Sequence, residues 1–379
     1  MKTTRLGRSG PRVASIGQGT MGMGGYFERN EDGDEGYIRA LQIGIDLGLT
    51  LIDTAEVYGA GHAEELVGQA ISGRRQEVVL MTKFSAEHSR AADIATALEG
   101  SLRRLRTDHV DIYQPHWPNP DVPFEETLGT IDRLIAAGKV KAAGLSNFDA
   151  NTGRQAVNEL RSGELASMQN EYNLLERTVE RDLLPFCAAN DVALVSYSPY
   201  QQGKLLKRSS QTDLLFELAS RYGVQVSQVI LAWLTRDAGV IAIPKASTEA
   251  NVRANAQALE VVIDVADLER LSAAFDAGPS LVPCDQINVV DASDDRTVYR
   301  NVEQALANPS RMSPSPRQLA DEIIASGGRL QKPVKLRWHS QSQRYSLVEG
   351  RLKYWAWVIA YGIEAPIPAL IEDDKPEQN

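Results

Sequence analysis

Ile38-Arg-Ala-Leu41-Gln-Ile-Gly-Ile45-Asp-Leu-Gly48-Leu-Thr-Leu-Ile52-Asp53 runs a helix directly into a strand. Ile38, Leu41 and Ile45 recur at three- to four-residue spacing, which predicts a helix with one buried stripe. Gly48 can close that helix, and the apolar run 49–52 predicts a buried strand that ends in a carboxylate, Asp53. The same alternation continues outward. It predicts helix 63–71, strand 77–81, helix 91–105 and strand 110–113. Pro123, Glu125 and Glu126 then open a helix that Gly138 ends. Strand 140–145, helix 150–160, strand 166–168, helix 180–189, strand 192–196, helices 214–222 and 226–235, and strand 239–243 complete the series. With 13–17 as the first strand there are about eight βα repeats in the roughly 250 residues that a (β/α)8 barrel needs. A doubly wound open sheet is the structural rival, because residues 17–25 are glycine-rich. That run lacks the following helix and the acidic residue on the next strand that a dinucleotide turn requires.

The chain has 379 residues, 43% of them apolar and 24% charged, enough for a large core and more than one domain. The opening residues lack the apolar core of a signal peptide, and the apolar stretch 355–363 is shorter than the roughly 20 residues a bilayer span takes. Only Cys187 and Cys284 occur, far apart and without metal-ligand spacing, as expected in a reducing cytoplasm. The five histidines form no ligand cluster, and a net charge of −10 disfavours a general nucleic-acid binder. The charge is uneven. From Gly278 onward 12 Lys+Arg face 13 Asp+Glu, whereas residues 311–353 hold 9 basic and 3 acidic residues, a local +6.

Polar residues cluster where the predicted strands end: Asp53, Lys83, His116, Ser146-Asn147, Gln169-Asn170, Tyr197-Ser198 and Pro244-Lys245, with Tyr58 just behind Asp53. In a parallel barrel all these positions face one mouth. The runs Asp53-Thr-Ala-Glu-Val-Tyr58-Gly, Met81-Thr-Lys83-Phe, Asp111-Ile-Tyr-Gln-Pro-His116-Trp-Pro, Gly144-Leu-Ser-Asn-Phe148, Gln169-Asn-Glu-Tyr-Asn173 and Tyr197-Ser-Pro199 resemble the aldo-keto reductase family over about residues 3–275. The resemblance implies an NADP-dependent reductase of small carbonyl compounds, with a catalytic tetrad at Asp53, Tyr58, Lys83 and His116. The chemistry asks for these types. Hydride transfer to a carbonyl leaves charge on oxygen, which a phenol can protonate. An ammonium beside Tyr58 would favour the phenolate and bring its proton loss nearer neutrality, and Asp53 would hold that buried ammonium charged. His116 could donate to the carbonyl oxygen.

The resemblance also implies cofactor positions. Ser146, Asn147 and Gln169 would bond the carboxamide of the nicotinamide, Tyr197 would stack on its ring, and Ser198, Pro199 and Gln202 would follow the pyrophosphate up to Gly203. Lys245, Ser247 and Thr248 open a helix suited to a 2′-phosphate, which favours NADPH, with NAD as the other possibility. Asn255 matches the adenine contact. Seven residues past Pro244, where many members carry an arginine, this chain has Asn251. Arg253 lies two further on, and residues two apart do not share a helix face. Substrate selection falls to loops 21–29, 117–122 and 200–208. Trp117 is expected beside the pocket and Trp233 in the core.

Domain one is read as 1–277, with a linker at 277–280. Residues 278–379 form a small α/β module: strand 286–290, helices 302–307 and 316–326, strand 333–338, a polar turn at 340–343, strand 345–348, helix 352–360 and strand 367–371. Val282-Pro-Cys-Asp-Gln-Ile287, Leu330-Gln-Lys-Pro-Val334 and Tyr345-Ser-Leu-Val-Glu-Gly350-Arg-Leu-Lys353 make it similar to the ParB N-terminal and sulfiredoxin-like domains. By that resemblance Gly350, Arg351 and Lys353 correspond to a nucleotide-phosphate turn. Arg351 and Leu352 stand where ParB has glutamate and arginine, and the sulfiredoxin cysteine is absent. The local +6 suits a nucleotide or nucleic acid, or equally a solvated basic face docked on an acidic barrel. The leading expectation is therefore a cytoplasmic carbonyl reductase without membrane attachment. Its rival is a redox-sensing regulator that holds the nicotinamide cofactor and signals through the C-terminal module.

Overall fold

A computed structural model of the chain describes residues 1–275, 280–289, 299–309, 312, 314–328, 330, 332–339, 342 and 344–372. The chain divides into two compact units, Met1–Phe275 and Asp276–Asn379.

In the first unit β1 (Thr3–Arg5) and β2 (Arg12–Ala14) form an antiparallel hairpin. Eight parallel strands follow: β3 (Gln18–Gly19), β4 (Leu51–Asp53), β5 (Val79–Phe84), β6 (Val110–Pro115), β7 (Val140–Ser146), β8 (Leu165–Glu171), β9 (Ala193–Tyr197) and β10 (Val240–Ala242). Bridges from Ile16 to Ala242 and from Gly19 to Lys245 join the two ends, giving the (β/α)8 barrel. Between the strands run α1 (Asp34–Asp46), α2 (His62–Ala70), α3 (Ala91–Leu105), α4 (Phe124–Ala136), α5 (Ala150–Glu159), α6 (Leu183–Ala189), α7 (Asp213–Tyr222) and α8 (Val226–Leu234). α9 (Glu249–Gln257) and α10 (Val265–Ala274) complete the unit. Each helix turns an apolar stripe onto the sheet, and its strands, covered on both faces, read as continuous apolar runs. Trp233 is fully buried there, as its apolar neighbours predict.

The first strand needs a correction. Residues 12–14 belong to the hairpin, and the barrel strand lies further on, at Gln18–Gly19. Val13 is apolar because it and Leu6 fill the barrel interior beside Leu51, Met81, Ile112 and Ile241, burial worth roughly 1.5–3 kcal/mol per large side chain. An apolar plug and an apolar strand look alike in sequence.

The second unit is a five-stranded mixed sheet in the order β11–β15–β13–β14–β12, from β11 (Ser280–Pro283), β12 (Ile287–Asn288), β13 (Val334–His339), β14 (Arg344–Glu349) and β15 (Pro366–Glu372). α11 (Val302–Ala307), α12 (Pro316–Ala325) and α13 (Arg351–Tyr361) bury Ala305, Ala320, Ile323, Tyr354 and Ala356 with Val334, Leu336, Leu347 and Ile367. α12 starts at Ser315, whose hydroxyl accepts from Gln318 while the Gln318 side chain returns to the Ser315 N–H. Residues 277–279 of the expected linker, Val290, and all of the turn 340–343 except Ser342 lie outside the described residues; Ser280 opens β11, a strand the sequence did not reveal.

Candidate active site

Adjacency of β4, β5 and β6 assembles the tetrad. Asp53 is the last residue of β4 and pairs across to Met81. Lys83 lies on β5 opposite Gln114, and His116 immediately follows β6. Tyr58 begins the short turn Tyr58–Gly61 behind β4. Gly59, Ala60 and Gly61 in that turn all have positive φ, at 55°, 52° and 92°. A Cβ at Gly59 would lie 2.2 Å from the Gly24 carbonyl oxygen, so only glycine fits there. Ala60 in the left-handed region costs about 1–3 kcal/mol, a strain that persists only where the surroundings hold it.

All three N–H donors of the Lys83 ammonium are used: 2.8 Å to Asp53 Oδ2, 2.9 Å to the Thr54 carbonyl and 3.3 Å to Tyr58 Oη. Asp53 Oδ1 accepts from Gln169 Nε2 at 2.8 Å, so the carboxylate is held at both oxygens. Burial alone would lower the Lys83 pKa, but Asp53 and Tyr58 outweigh it and the net shift is upward, so the side chain stays charged. Tyr58 departs from expectation. Burial of the phenol raises its pKa by more than the Lys83 charge lowers it, so it keeps its proton through the neutral range. Sequence spacing supplies the lysine but not the depth of burial. Burial, reinforced by the Lys83 charge, takes His116 down to about 3, so its imidazole is neutral. Tyr58 Oη stands 3.5 Å from His116 Nε2, too long for a strong hydrogen bond, and the phenolic proton is left available.

Further round the mouth, Asn147 has φ 65° and bridges three strand ends. Its amide donates to the His116 carbonyl at 2.9 Å and to Ser146 Oγ at 3.2 Å, and its Oδ1 accepts from the Tyr197 hydroxyl at 2.8 Å. Beside Gln169, Asn170 keeps a buried Oδ1 without a hydrogen-bond partner, an acceptor that sequence reading had placed at a strand end without a role. Ser198, Gln201, Gln202 and Gly203 all have positive φ, which curls this loop tightly around a buried Pro199. Asn255 is buried and accepts from the Tyr200 hydroxyl at 3.0 Å.

At α9, Thr248 is the N-cap, its hydroxyl accepting from the Asn251 N–H, while Lys245 is exposed and Ser247 partly so. Arg253 points to Glu249 and is held by it at 2.9 and 2.7 Å. Trp117 is 52% exposed. The sequence reading also passed over His62, which the structure buries between two carboxylates; the i,i+3 spacing of His62 and Glu65 at a helix start was the available signal.

The model of the aldo/keto reductase family matches residues 15–276. Methylglyoxal reductase YeaE of Escherichia coli is 39% identical over 277 residues, 73% of this chain and 95% of that protein. An NADH-specific methylglyoxal reductase of Escherichia coli is 30% identical, over 70% of this chain and 96% of its own. The crystal structure of an aldo/keto reductase from Klebsiella pneumoniae with NADP and acetate superposes with a TM-score of 0.66 at 38% identity, covering 73% of this chain and 96% of that one.

Proposed function

The chain belongs to the aldo/keto reductase family, and from that premise we propose that Tyr58 is the acid of its reaction, with Lys83, Asp53 and His116 as its partners. The protein is an NADP-dependent oxidoreductase that reduces aldehydes or ketones to alcohols. NAD(P)H supplies the hydride when bound. The carbonyl oxygen gains its proton from Tyr58 Oη, and the Lys83 ammonium, 3.3 Å away, stabilises the phenolate left behind. Asp53 keeps Lys83 charged and in place. Neutral His116 donates one N–H to the carbonyl oxygen and orients it. That Lys83 spends its three donors on Asp53, on Tyr58 and on the Thr54 carbonyl beside them is the observation that carries the reading.

The residues at the mouth fit the cofactor. The unpartnered Asn170 Oδ1 and the Ser146–Asn147 pair offer polar groups to a carboxamide, with Tyr197 beside them and Gln169 committed to Asp53. Ser198 to Gly203 would follow the pyrophosphate, Lys245, Ser247 and Thr248 would take a 2′-phosphate at the α9 N-terminus, and Asn255 would face the adenine. Two relatives are named methylglyoxal reductases, and a small 2-oxoaldehyde is the substrate class we infer. Steady-state reduction of a carbonyl panel with NADPH and NADH side by side tests this. Tyr58→Phe should lower kcat by about 10²–10⁴-fold, the usual scale of general acid catalysis. A variant turning over at the wild-type rate would overturn the assignment.

Two free, buried cysteines support a cytoplasmic setting, and no helix among the described residues is long and apolar enough to cross a membrane. For the second unit we keep the ParB and sulfiredoxin-like reading. A mixed sheet whose strand β14 passes through Gly350, with φ 100°, into α13 supports it. No observation favours a nucleic-acid partner or the regulator alternative.

A further inference from the structure

His62 sits where the strained turn meets the loop over the barrel mouth. Its backbone N–H closes the turn onto the carbonyls of Tyr58 and Gly59. The residue is 2% exposed, and its ring lies against Gly24, whose added Cβ would meet His62 Cδ2 at 2.7 Å. Gly59 N–H donates to the Tyr26 carbonyl at 2.9 Å, so loop 20–33 rests on the Tyr58 turn. Nε2 of the ring stands 2.8 Å from Asp34 Oδ2, at the first residue of α1, and Nδ1 stands 2.9 Å from Glu65 Oε2 on α2. The other charged groups around it are Arg29, 2.9 Å from Glu65 and 2.8 Å from Glu31, and the Glu64–Arg104 pair behind Gly61. Three carboxylates, at Asp34, Glu31 and Glu65, thus face one arginine and one imidazole on the loop side.

A carboxylate only accepts hydrogen bonds, so two carboxylates on two ring nitrogens require two N–H donors. A ring with one proton would turn the lone pair of a buried nitrogen toward the anionic oxygen of a half-buried carboxylate, at 2.8 or 2.9 Å. We propose that His62 is a positioning residue of this reductase: as an imidazolium it clamps α1, α2 and the mouth loop around the Tyr58 turn, and loss of its second proton loosens that turn. The strain at Ala60 gives the turn a reason to relax once the clamp weakens. This rests on Tyr58 as the acid, whereas the protonation of the ring does not.

Ring ¹⁵N spectra of the wild-type protein across pH, recorded beside kcat/KM for NADPH-dependent reduction, test both parts. Both nitrogens should be protonated where the enzyme is most active. Activity should then fall about tenfold as the second proton leaves, the scale of one lost charge-assisted hydrogen bond. In Asp34→Asn the new amide can donate to the ring's lone pair, so a singly protonated ring fits and the alkaline fall should vanish. His62→Gln should run at the low plateau throughout with no such fall. A ring with one proton throughout the active range would overturn the clamp. An Asp34→Asn or His62→Gln profile that keeps the wild-type fall at the same pH would overturn its link to Tyr58.

Discussion

Lys83 and Asp53 are each tolerable in the barrel only because of the other. Lys83 has no exposed surface and Asp53 is 3% exposed. Removing one leaves an uncompensated buried charge, at a cost of about 3–5 kcal/mol. Lys83→Met should therefore lower unfolding stability by that amount in denaturant titrations as well as lowering turnover; a purely catalytic lysine would leave stability unchanged. His116 makes a second prediction at this scale. Its value falls from 6.5 unfolded to about 3 folded. The neutral ring's contribution is then complete above about pH 6.5 and is lost as pH falls toward about 3. At about 1.4 kcal/mol per unit that amounts to a few kcal/mol. His116→Gln should flatten the fall in melting temperature across this window, and wild-type kcat/KM should show no His116 titration between pH 5 and 8. The identities of Tyr58, Lys83, Asp53 and His116 were legible because strand ends in a parallel barrel share a mouth. The sign of the Tyr58 shift was not, since it depends on how much water the phenol loses.

α9 shows what one element can decide about the cofactor. Its N-terminal turn carries Thr248 as cap and offers free N–H groups to an anion, yet Glu249 adds a negative charge there and occupies Arg253 at 2.7 Å. An acid at a helix N-terminus stabilises the helix by roughly 0.3–1 kcal/mol but repels a 2′-phosphate arriving at the same place. Glu249→Gln should release Arg253 and tighten NADPH binding a few-fold, the range expected from about 1 kcal/mol, with NADH unchanged in calorimetry. Equal tightening for both cofactors would remove Glu249 from the discrimination. The sequence showed Asn251 in the arginine's place but not the ion pair, which needs the helix built first. The hairpin of β1 and β2 escaped for a related reason: Val13 is apolar like a barrel strand, and only the paired Thr3–Arg5 strand shows that it plugs the barrel end.

The largest hydrophobic core of each unit shares no member with the other, one built around Trp233, Tyr113 and Leu231 and the other around Tyr354, Leu336 and Ile367. Composition changes near residue 277 and the chain divides into its compact units after Phe275, whereas β11 was not legible, because its four residues Ser280–Pro283 end in a proline that reads as linker. Each unit has its own sheet and its own capped helices, which is the physical requirement for folding alone. Every residue assigned above to the proton, the carbonyl or the cofactor lies before Phe275. A chain ending at Phe275 should therefore fold and reduce carbonyls with kcat/KM within about twofold of the full protein, as expected for an independent domain. Its thermal unfolding should lack one transition of the full chain. If the shortened chain folds with that single transition yet loses most of its turnover, the second unit contributes to catalysis, and a function confined to the barrel fails.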